Sequence, residues 1–218
     1  CYYLLFSSSG SSSAIKYQFA GFVSVYHFYH HPHRRRHRIS QVLLLPQHQG
    51  RGIGRRLLQQ AYNDARADDV VVDITVEDPS PQFSYIRDVL DLNELIDRDC
   101  PGFDATTAAN GAEVVEAAIE FGLRELKLYH EQVRHCVDAY YYCKLLPRAT
   151  EEAVRAFRLR VKRRLWRSEK NALEGLPDDE VKKYLATWYD DEVTHFERLR
   201  RTIDAALQRR VGGGGGGG

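Results

Sequence analysis

The sequence predicts an α/β region followed by an all-helical region, on three observations. The apolar run Val42-Leu43-Leu44-Leu45 leads into a glycine-rich turn, after which Ile53, Leu57, Leu58 and Ala61 recur at helical spacing. A second run, residues 70–76, is dominated by β-branched side chains and reads as a strand. From Phe83 onward apolar residues recur at the helix period. Strand, helix and strand in this order form a βαβ unit, whose parallel strands connect right-handed.

In chain order, residues 2–6 read as a short aromatic and aliphatic strand. Residues 7–13, six serines around Gly10, read as a flexible low-complexity loop. Residues 17–29 alternate and are rich in Val, Phe and Tyr, which gives a long strand; Gly21 within it marks a bulge or a close backbone approach. Residues 27–38 hold five histidines and four arginines and read as a solvated basic loop between strands. His30, His31 and His33 have loose ligand spacing, but no cysteine or carboxylate joins them and the adjacent cations oppose a metal, so none is expected.

Residues 39–45 give the next strand and residues 52–66 the helix. Residues 70–76 lack clean alternation, which places that strand centrally with both faces covered. Glu77 and Asp78 follow it, and Pro79 stops it. Ligands of open α/β sheets bind at this carboxyl edge, where the glycine turn also leaves its strand. Glycine turn and carboxylates are therefore expected to face one cleft.

In the helical region Tyr85, Ile86, Val89, Leu90 and Leu92 form a stripe that ends at Cys100-Pro101-Gly102. Further helices are expected near residues 107–121 and 123–145, from the start Thr150-Glu151-Glu152 through residue 170, and from the acidic turn Asp178-Asp179-Glu180 to about residue 210. Tyr140, Tyr141 and Tyr142 read as core packing. The basic run in residues 155–167 has few interleaved aromatics and reads as a solvated helix face, not a nucleic-acid stripe. The expected division is residues 1–99, 100–210 and a disordered glycine tail, 211–218.

At 218 residues the chain has room for one large or two small domains. A net charge of +1 gives no overall field toward nucleic acid or membrane. Four cysteines without a C-x-x-C pair read as free thiols of a reducing compartment. No run is long enough to span a membrane and no signal peptide is evident. The chain opens on Cys1 and has no methionine, so a fragment lacking its own N-terminus is expected.

A strand, a tight glycine turn and a helix start aim free N–H groups and a positive dipole end at one point, which suits a phosphate or pyrophosphate. A dinucleotide-binding turn wants a third glycine three residues after Gly52, and a P-loop wants Lys-Ser/Thr where Arg55-Arg56 stand. The spacing Gln49-x-x-Gly52-x-Gly54 instead resembles the pyrophosphate cradle of the GNAT acetyltransferases. Ser40-Gln41, Gln49-Gly50-Arg51-Gly52-Ile53-Gly54, Asp73-Ile74-Thr75-Val76-Glu77-Asp78-Pro79-Ser80 and Arg87-Asp88 together resemble the type B histone acetyltransferase catalytic subunits. Phe157-Arg158-Leu159-Arg160-Val161-Lys162-Arg163-Arg164-Leu165 is similar to a helical segment of that family.

The resemblance implies a GNAT (acyl-CoA N-acyltransferase) fold with a central mixed sheet and a helical C-terminal domain. It implies acetyl transfer from acetyl-coenzyme A to a lysine of newly made histone H4 tails, a WD-repeat histone chaperone as partner, and work in nucleus and cytoplasm. No metal, direct nucleic-acid contact or membrane is implied. Carried over residue by residue, Val42, Leu43 and Leu44 line the pantetheine arm. Gln49, Gly50, Arg51, Gly52, Ile53, Gly54 and Arg55 hold the pyrophosphate, and Ser80 lies near the cofactor. Glu77 is the general base with Asp78 beside it; partial burial is expected to raise its pKa. The resemblance also implies an N-terminal domain before the position of Cys1, with a further carboxylate assisting the base, and both are expected to be absent from such a fragment. A catalytically weak acetyl-coenzyme A-binding scaffold in a chaperone complex is the alternative.

Overall fold

The computed structural model describes residues 1–11, 14–103 and 112–213. Four strands form one sheet in the order β1-β2-β3-β4: β1 (Tyr2–Ser11), β2 (Ala14–His30), β3 (Arg34–Leu44) and β4 (Val71–Val76). The first three pair antiparallel, and β4 joins β3 in parallel across the helix α1 (Ile53–Ala67). This is the expected βαβ unit inside a mixed sheet. Leu57, Leu58, Ala61, Tyr62 and Ala65 form the buried face of α1, which packs on the sheet and on α2 (Pro81–Asp97).

Three strand readings change. Residues 7–11 are not a loop: Ser7 pairs with Gln18 and Gly10 with Ile15, so cross-strand pairing overrides the weak strand propensity of serine. Ser12 and Ser13 lie outside the described residues. The basic run is not a loop either. It forms the ends of β2 and β3, with only a short turn after His30. There Arg36 makes a bidentate pair with buried Asp73, at 2.6 and 2.7 Å, and His37 is buried with its ring stacked on His27 at 4.2 Å. β4 is not central. It ends the sheet order, and its outer edge is covered by a bridge between Ile74 and Leu128, which explains its apolar composition. Gly21 sits beside a bulge at Ala20, and a Cβ on it would collide with the Leu43 carbonyl oxygen.

Beyond α2 the chain is helical: α3 (Ala112–Leu126), α4 (His130–Lys144), α5 (Glu151–Ser168), the single turn α6 (Lys170–Leu173) and α7 (Asp178–Gly213). The start expected for α3 near residue 107 lies outside the described residues. α7 reaches three residues past the expected end, into the glycine run; residues 214–218 are not described. Phe196, Leu199, Ile203 and Ala206 give α7 a buried stripe, and it packs on α2, α4 and α5. One continuous cluster of buried side chains joins the sheet, α1 and α2 to these helices. All four cysteines are free; Cys1 is exposed and the other three are buried. Among the described residues no helix is long and apolar enough to cross a membrane.

Candidate functional site

After β3 the chain makes a single 3₁₀ turn, Pro46–His48, and enters the glycine turn. Gly50 and Gly52 have φ of +73° and +72°, the left-handed region that glycine enters without strain. Gly52 caps α1 without a side-chain bond, and the first helical bond runs from the Arg56 N–H to the Gly52 carbonyl. The N–H groups of Ile53, Gly54 and Arg55 therefore precede the helical ladder. No acidic residue occupies this first turn, so the positive end of the helix is left for an anion. The Gln49 side chain donates to the Leu44 carbonyl at 2.8 Å and braces the turn against the end of β3. A cavity of about 590 Å³ opens beside it, walled by the glycines and Arg55 on one side and by Val42, Leu44 and Phe83 on others. An anion-binding end and a long apolar wall suit an elongated phosphorylated thioester such as acetyl-coenzyme A.

The expected carboxylates lie next door. Pairing between β3 and β4 ends at Ile39 and Val76, while residues 41–44 of β3 continue to pair with β2. The two parallel strands therefore splay. Ser40 is the extra residue of a bulge at the point of divergence, between the pairs Ile39–Val25 and Gln41–Ser24. The wedge between them is a cavity of about 200 Å³ lined by Ser40, Gln41, Glu77 and Asp78 among others. It shares Val42, Ser80 and Phe83 with the larger groove, so glycine turn and carboxylates open into adjoining cavities. Glu77 is exposed, not partly buried as expected, and so is Asp78 beside it. Asp78 adopts φ +39°, where the chain turns into α2. The Ser80 hydroxyl accepts from the Phe83 N–H at 3.2 Å and caps α2, so its side chain is committed to the helix start.

A third cavity, about 770 Å³, lies between α2, α4, α5 and α7, and Pro79 lines both it and the wedge. Its polar wall went unread in the sequence. Arg87, Asp88 and Asp91 of α2 are buried. Arg87 donates to the Tyr62 hydroxyl at 3.2 Å, and the Gln132 amide donates to Asp88 at 2.7 Å and Asp91 at 2.9 Å. His135 and His195 both bring Nε2 to Asp88 Oδ2, at 3.0 and 2.6 Å. Glu192 sits 3.3 Å from His135 Nδ1 and accepts from Arg164 at 2.8 Å. Burial pushes Asp91 up to about 7, partly offset by Arg87. Burial also opposes the Glu192 charge, but His135 and Arg164 hold that carboxyl down at about 2.

The basic run of α5 also differs from its reading. Arg160 and Arg164 turn inward onto buried Asp138, at 2.9 and 3.0 Å, and Arg158 lies over the Tyr189 ring. The clue available was the Arg87-Asp88-Asp91 interruption of the α2 stripe. Charges inside an apolar stripe must find partners if buried.

Residues 5–82 match the acetyltransferase (GNAT) family, a span that contains the glycine turn, Glu77 and Ser80. The chain is 30% identical over 186 residues to a type B histone acetyltransferase catalytic subunit of Dictyostelium discoideum, covering 82% of this chain and 38% of that protein. It is 34% identical over 159 residues to that of Arabidopsis thaliana, covering 66% and 34%. The human protein of that name is 31% identical over 169 residues, covering 75% and 38%. The chain thus spans about a third to a half of the curated relatives it matches.

Proposed function

The chain belongs to the GNAT acetyltransferase family, and on that premise we propose that it transfers acetyl from acetyl-coenzyme A to a lysine of histone H4 tails. The relatives named type B histone acetyltransferase catalytic subunit support the substrate class. The observation that carries the reading is the meeting of two cavities at Val42, Ser80 and Phe83, one walled by the glycine turn and the other by Glu77 and Asp78.

In this reading the Ile53, Gly54 and Arg55 amides bind the pyrophosphate, and β3 beyond the splay guides the pantetheine arm by its backbone. A free lysine amine has a pKa of about 10.4 and is protonated at neutral pH, so a base must take its proton before attack. Glu77 accepts that proton, directly or through one water. The amine nitrogen then bonds to the thioester carbonyl carbon, and the carbon–sulfur bond breaks as the carbonyl reforms. The sulfur leaves as thiolate and takes up a proton. N–H groups of β3 freed by the splay stabilise the oxygen charge that develops in between.

A WD-repeat histone chaperone as partner, and action in nucleus and cytoplasm, complete the proposal. Duplex DNA is not part of it, because Arg160 and Arg164 are engaged by Asp138 and Glu192. The test is transfer of labelled acetyl to peptides of the H4 and H3 tails by the 218-residue chain. H4-selective labelling is expected. Saturable acetyl-coenzyme A binding without labelling of any tail would favour the scaffold reading.

A further inference from the structure

We infer that Asp88, His135 and His195 form a binding site for one divalent transition-metal ion of the zinc class, on the wall of the helical cavity. One ligand atom from each lies within 4.8 Å of the other two. They come from three helices, α2, α4 and α7, and Asp88 and His195 stand 107 residues apart in sequence. Both imidazoles present Nε2 to the same oxygen, Asp88 Oδ2. That convergence of two nitrogens and one carboxylate oxygen is a donor set for Zn²⁺, Co²⁺ or Fe²⁺, not for Ca²⁺ or Mg²⁺, which take oxygen ligands.

The surroundings are those a metal site needs. A ligating imidazole is oriented by a carboxylate on its other nitrogen. Glu192 stands at that position for His135 Nδ1 and is itself fixed by Arg164. The Asp88 oxygen that faces away from the histidines, Oδ1, accepts from Gln132. Each ligand's second polar atom is thus occupied for Asp88 and His135, which leaves Asp88 Oδ2 and His135 Nε2 for the ion. Three protein ligands leave a fourth position, and all three residues line the cavity of about 770 Å³ from which an exchangeable ligand would enter. Burial of Asp88, at 2% exposure, excludes competing water from its carboxylate.

The site is separate from the glycine turn and from Glu77, neither of which lines this cavity. An ion there would join α2 to α4 and α7, and hold the helices against the element that carries Pro79 and Ser80. Its role in this inference is to brace that junction.

The test uses the whole chain stripped by chelator and titrated with Zn²⁺ and with Co²⁺. One tight site per chain is expected by calorimetry, with a rise in melting temperature, and the Co²⁺ form should show the visible absorption of four-coordinate nitrogen and oxygen ligation. His195→Gln should lose both the absorption and the rise in melting temperature. Glu192→Gln, which alters only the orienting shell, should weaken binding by about 10–100-fold. His30→Ala with His31→Ala and His33→Ala, on the exposed turn, should change neither signal. Circular dichroism confirms that each variant is folded. The inference is overturned if the stripped parent takes up no ion, or if the Co²⁺ spectrum persists in folded His195→Gln and in folded His135→Gln.

Discussion

The Glu77 amide donates to the Ile39 carbonyl at 3.0 Å, and among the described residues this is the last bond between β3 and β4. The general base proposed for the reaction thus stands where two parallel strands separate. Glu77→Gln retains the amide bond and the side-chain shape but removes the proton acceptor. A fall in kcat of roughly 10²–10⁴-fold is expected, with acetyl-coenzyme A affinity nearly unchanged. Turnover within about threefold of the parent, with Asp78→Asn inactive, would transfer the role to Asp78.

Gly52 tests the cradle. A Cβ there would meet nothing within 4 Å, so crowding in the protein is not the issue; the constraint is φ of +72°. Val at this angle costs about 1–3 kcal/mol, relieved by moving the turn out of the anion-binding geometry. Gly52→Val is expected to weaken acetyl-coenzyme A binding at least tenfold, about 1.4 kcal/mol, while the protein stays folded. Calorimetry giving parent affinity would remove the turn from the binding site.

Asp138 neutralises two arginines of α5 and is 4% exposed. Asp138→Ala strips both guanidinium groups of this partner, though Arg164 retains Glu192. Arg160 is partly exposed and relaxes toward water, so the loss belongs at the low end for a broken buried pair, about 3 kcal/mol. Urea unfolding measures it. A loss below about 1 kcal/mol would place the pair among surface bridges of little weight.

His37 gives an acid limb to stability. Burial, reinforced by the neighbouring His27, pulls its pKa from the ordinary 6.5 down to about 4, and its buried Nε2 has no hydrogen-bond partner among the described residues. Between those values the unfolded chain binds a proton that the folded chain refuses. The contribution is therefore complete above about pH 6.5 and is lost as pH falls toward 4. His37→Gln should flatten this part of the curve relative to the parent, read as urea midpoints from pH 4 to 7. Parallel curves for the two proteins would show that His37 does not titrate this way.

By itself the sequence determined the features carried by neighbours along the chain. The strand, glycine turn and helix at residues 39–66 were legible because hydrophobic period, left-handed glycines and helix start all lie within one short segment. The Thr150 start of α5 was equally local: its hydroxyl accepts from the Ala153 N–H. Tertiary structure decided what depends on distant partners. Pairing with residues 14–18 made a strand of the serine run, and the bridge to Leu128 let an edge strand look central. The meeting of His135 and His195 at Asp88 spans 47 and 107 residues, and no local pattern encodes it. α2 tolerates buried charge because α1, α4 and α7 bring hydrogen-bond partners that compensate desolvation, and those arrive when the helices pack.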